Sequence, residues 1–114
     1  MKKIALMIAT VLWLFGFNVM AEEHASVALD HAKMAVVHGK AGHGPVLVEH
    51  ASEALKHAKL GAKAAGGESK THMDAAVKSL ESSIEHGKME GEEHVSAATQ
   101  AAEEAVQHIE AAGK

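Results

Sequence analysis

Ten histidines carry the chemistry open to this sequence of 114 residues. They fall at His24, His31 and His38; at His43, His50 and His57; at His72 and His86; and at His94 and His108. Inside each group the interval is 7 or 14 residues, so a group keeps one phase throughout. Imidazole and carboxylate without any thiolate suit Cu(II), Ni(II), Zn(II) or Co(II), and the intrinsic affinity order peaks at Cu(II). All ten histidines are therefore candidate metal ligands. Two residues seven apart on a helix lie about 10.5 Å apart along its axis. A metal–imidazole bond is only about 2.0–2.1 Å long, so no row can chelate an ion by itself. A neighbouring helix has to complete each site.

A period of seven is a helical signal. Counting from each histidine as zero, position +4 reads Ala28, Ala35, Leu47, Ala54, Ala76, Ser83, Ala98 and Ala105. Position +5 reads Leu29, Val36, Val48, Leu55, Val77, Ile84, Thr99 and Val106, and position +1 is mostly Ala with Met73, Leu80, Val95 and Ile109. These three positions make one apolar stripe, with the histidine on its border. Breaks fall at Gly39 to Gly42, at Gly61 to Glu68 and at Gly87 to Glu92, where glycine and Pro45 act as stop and start signals. Thr71 with Asp74 three later offers a helix cap, while Lys59 to Lys70 and Lys88 to Glu93 read as solvated loops.

The fold this predicts is all-α: an antiparallel four-helix bundle built from two repeated helical hairpins. Such a bundle is expected to stack the histidines in layers. One end would gather His24, His57, His72 and His108; the other would gather His38, His43, His86 and His94. The middle keeps His31 and His50, since Ser79 and Ala101 stand at the equivalent places. Glu53 and Glu104 lie three or four residues from a histidine, on neighbouring positions of a helix face. Acids directly before His24, His31, His50, His86 and His94 favour a cation through charge.

The leading residues are of a different kind. Lys2 and Lys3 precede an apolar run from Ile4 to Phe15, and Val19-Met20-Ala21 puts short residues at a cleavage point. This is the build of a secretory signal, residues 1–21, cleaved after Ala21. Residues 22–114 are then the exported His-rich domain, expected in a bacterial periplasm and free of the membrane. That domain has no Arg, no aromatic residue beyond histidine, and 9 Lys against 15 acids, a balance of −6 with neutral histidines. It offers no footprint for nucleic acid. Twenty of its 38 apolar residues are alanine, so the core is thin and stability without a ligand is expected to be modest.

The same residues admit rival readings. Protonating ten histidines would move the domain from −6 to +4, which suits a pH-responsive interaction or stress protein with no dedicated metal role. Haem held by Met34, Met73 or Met89 opposite a histidine lacks an aromatic wall for the porphyrin. No serine is singled out as a nucleophile with a base and an orienting acid, so the chain does not read as an enzyme. The segments His31 to Lys40, Gly42-His43, Glu49 to Lys59, Gly66-Gly67, Thr71-His72 and Glu85 to Gly87 resemble the periplasmic small metal-binding protein family. The resemblance implies a monomeric helical protein that binds several divalent metals, copper prominently, and buffers or sequesters them. Ser79 and Ala101 depart from that pattern, which tends to carry histidine there.

Overall fold

The computed structural model describes residues 19–114, and the expected signal up to residue 18 lies outside them. Four helices follow one another: α1 (Val19–Lys40), α2 (Gly44–Ala64), α3 (Gly67–Gly87) and α4 (Glu92–Ala112). Each short turn reverses the chain. α1 packs on α2 and α4, α3 packs on the same two, and the diagonal pairs scarcely touch. This is the expected bundle of two hairpins, α1/α2 and α3/α4.

The period of seven accounts for its core. Every residue at position +4 is buried, from Ala28 to Ala105, and so are Ala25, Ala32, Ala51, Ala58, Met73, Leu80, Ala102 and Ile109 at position +1. The stripe is thus centred between +1 and +4, and position +5 is its half-buried far edge, as at Leu29, Val36, Val48, Leu55, Val77, Ile84 and Val106. Histidine is the near edge. Sixteen of the twenty buried apolar residues among those described are alanine, which lets helix axes approach toward the short end of the roughly 8–10 Å range. Close approach matters at Leu47, one of the four larger residues. A Cβ on Gly39 would meet its Cδ1 at 2.7 Å, and one on Gly87 would meet its Cδ2 at 3.2 Å. Polar Ser83 is fully buried at a core position because its hydroxyl donates to the Ala98 carbonyl at 2.7 Å, tying α3 to α4.

The helices overrun the glycine breaks. Lys59 to Lys70 is not a loop: α2 continues to Ala64 and α3 resumes at Gly67. A single helical glycine costs about 1 kcal/mol relative to alanine, and burial of Ala62 and Ala65 beyond Gly61 offsets it. Lys56, Lys59, Lys63 and Lys70 instead rim a groove floored by Leu55 and Val77 between α2 and α3. Nor is Thr71 a cap. Gly66 holds that place, and the Thr71 hydroxyl donates back to the Gly67 carbonyl at 3.4 Å from inside the helix. Gly39 likewise lies inside α1, and α4 begins at Glu92, within the stretch read as the last loop.

Candidate metal centre

The two edges of each stripe decide which residues meet. In an antiparallel pair the same edge of both helices faces the shared seam. Histidine edges therefore face each other across α1/α2 and across α3/α4. The aliphatic edges then face each other across α2/α3 and α4/α1: Val48 lies against Gly87, and Thr99 against Gly39.

Along the first seam the imidazoles form a ladder. His24 and His57 have ring centroids 5.3 Å apart and Nδ1 atoms at 3.1 Å. His31 and His50 stand 5.4 Å apart with Nδ1 atoms at 3.2 Å. His38 then stacks on His50 at 5.4 Å with rings 7° from parallel, and reaches His43 at 5.9 Å. Four rings, His31, His50, His38 and His43, thus run in unbroken contact. Along the second seam His72 meets His108 at 6.4 Å and His86 meets His94 at 5.8 Å. Between these rungs stand half-buried Ser79 and buried Ala101.

All ten histidines therefore find a histidine partner, but only along their own seam. The expected layers of four do not form, and no group of three or more His, Asp or Glu among the described residues is placed to hold one ion. The cause is the edge rule: the two seams lie on opposite sides of the bundle, with the alanine core between them. Glu53 and Glu104 are exposed on the outer surface. Among the described residues the one ion pair is Lys70–Asp74 at 3.3 Å, so no carboxylate is committed to a histidine.

Two nitrogens bound to one metal at about 2.0–2.1 Å, at angles of roughly 90–110°, lie about 2.9–3.4 Å apart. The Nδ1 separations of 3.1 and 3.2 Å fall inside that range. Without an ion, such a contact needs one ring to donate its N–H and the other to accept, so the pair cannot carry a proton on all four nitrogens. Burial lowers the pKa of His50 below 6.5, the positive forms of His31 and His38 lower it further, and Glu49 opposes them in part. This keeps imidazole neutral, the form that binds metal. Nδ1 of His86 is buried with no hydrogen-bond partner among the described residues, a donor atom left open to an ion. Nine of the ten histidines are half-buried and His43 is exposed, so the ladder edge is open to solvent.

A small all-α bundle with imidazoles meeting along its seams belongs to the class of histidine-rich metal-binding proteins. The chain matches the family model of the small metal-binding protein over residues 1–112, and it belongs to that family. No curated protein matches it.

Proposed function

We propose that this protein buffers or sequesters divalent transition metals, Cu(II) foremost and Ni(II), Zn(II) and Co(II) with it, in a bacterial periplasm. The observation that carries this reading is the pair of Nδ1–Nδ1 separations at 3.1 and 3.2 Å, a ready bite for one ion. Each rung supplies two protein ligands, and solvent or an outer carboxylate completes the set. Sites with two protein ligands release ions readily, which fits buffering better than permanent storage. In this reading the role is binding without catalysis, by a monomer. Export rests on the Lys2–Lys3 start and the apolar run after it. Cleavage after Ala21 removes the first three residues of α1, including exposed Val19 and Met20. Among the described residues no helix is long and apolar enough to cross a membrane.

Calorimetric titration of the apo protein with Cu(II) at neutral pH tests the reading. Rungs acting as separate sites give several equivalents, and acidification through about pH 6 releases them, because protons compete for the same nitrogens. A flat titration overturns the metal reading and favours the ion-free, pH-responsive one.

A further inference from the structure

The outer edges of the rungs differ from one end of the bundle to the other. A residue three after or four before a ladder histidine is its neighbour on the helix surface, on the side away from the core. At the end bearing His57 and His108 those neighbours include Glu53 and Glu104, both exposed, and Glu53 also stands three after His50 in the middle rung. At the opposite end they include methionine. Met34 stands three after His31 and four before His38 on α1; Met89 stands three after His86, two residues past the end of α3, where exposed Glu90 follows it. Both are 44% exposed, whereas Met73 is fully buried in the core. Met89 is also tied to its rung by the backbone, its N–H donating to the His86 carbonyl at 3.0 Å. That rung contains the unpartnered, buried Nδ1 of His86.

Thioether sulfur is a soft ligand that selects Cu(I), whereas carboxylate oxygen favours harder divalent ions. Resting on the metal-binding reading, we infer that the bundle is chemically polarised. The end rungs His38–His43 and His86–His94, flanked by Met34 and Met89, prefer Cu(I), with sulfur joining two imidazoles, and the end rungs His24–His57 and His72–His108, flanked by Glu53 and Glu104, prefer Cu(II) or Zn(II). One chain then holds copper in either oxidation state without any cysteine. Met20, four before His24, is the exception; it precedes the expected cleavage point and leaves with the signal.

The test uses the full chain with Met20→Leu in every sample. Cu(I) affinity is measured anaerobically against a chromogenic Cu(I) chelator, and Cu(II) and Zn(II) affinities by calorimetry. Met34→Leu with Met89→Leu should weaken Cu(I) binding at least about tenfold, the scale on which ligand-shell changes act, and leave Cu(II) and Zn(II) unchanged. Glu53→Gln with Glu104→Gln should do the reverse. Copper X-ray absorption of the Cu(I)-loaded protein should show a sulfur shell that the methionine variant lacks. Leucine is close to methionine in volume and helix propensity, and circular dichroism checks that the fold is kept. Unchanged Cu(I) affinity or an absent sulfur shell, with Cu(II) bound normally, overturns the polarity and leaves the metal reading standing. Failure to bind Cu(II), Zn(II) and Cu(I) alike overturns both.

Discussion

The two hairpins share a register and a seam geometry, yet they divide their residues differently. The first places six histidines in three rungs, and its core positions are alanine except for Leu47. The second keeps four histidines in two rungs and fills its core with Met73, Leu80 and Ile109. It gives up a rung at Ser79 and Ala101 and still pairs its helices in the same way. Imidazole at the stripe edge is therefore dispensable for packing. On the metal-binding reading proposed above, the histidines of the first hairpin serve their nitrogen chemistry, at the expense of a core that buries less. That hairpin should lean on bound ions more than its neighbour does.

The strongest way to break this comparison is to empty each seam in turn. Replacing the six histidines of α1 and α2 by glutamine should remove about three of five bound Cu(II) equivalents if each rung takes one ion. Most of the rise in melting temperature with copper should go with them, since an ion at a hundred times its Kd stabilises by about 2.7 kcal/mol per site. Replacing the four of α3 and α4 should remove about two and leave most of the rise. Equal losses of thermal stabilisation would mean that the hairpins do not differ in their dependence on metal.

A second test concerns packing. Leu47 is fully buried against Gly39 and Gly87, one on each hairpin. Leu47→Ala should cost about 2–5 kcal/mol in apo-protein denaturation. A loss under 1 kcal/mol would show that the alanine core closes over the gap and that the hairpins do not depend on this side chain. The converse experiment builds the missing rung. Ser79→His with Ala101→His should add one Cu(II) equivalent and bring the copper-dependent stabilisation of the second hairpin toward that of the first. No added equivalent would mean that register alone does not make a site.

The smallest effect is on pH dependence. A histidine whose pKa is lowered on folding contributes stability that is present above its unfolded value near 6.5 and is lost as pH falls from there toward the folded value. The apo protein should therefore soften on acidification below 6.5, and His50→Gln should flatten that slope. A mutant with the wild-type slope in thermal melts would shift the acid sensitivity to other rungs.

Much of this was legible in the chain. The period of seven marked the buried positions: all eight residues at +4 are buried, Ser83 among them, because a heptad keeps one face of a helix toward its neighbours. Helix ends were less legible. Gly61 and the lysines around it read as a loop, yet Ala62 and Ala65 are buried one turn beyond it, and tertiary burial outweighs local propensity. Thr71 carried a capping signal that the earlier start of α3 at Gly67 made irrelevant.

The sequence by itself determined which edge of each helix carries imidazole, since the phase of the histidines against the alanines allows no other placement. It did not determine how many imidazoles meet. That follows from which helix faces which edge, and only the assembled bundle decides it. Antiparallel neighbours bring like edges together, so histidine seams must alternate with aliphatic ones. The ten histidines are thereby separated into two seams on opposite sides of a core too dense for them to cross.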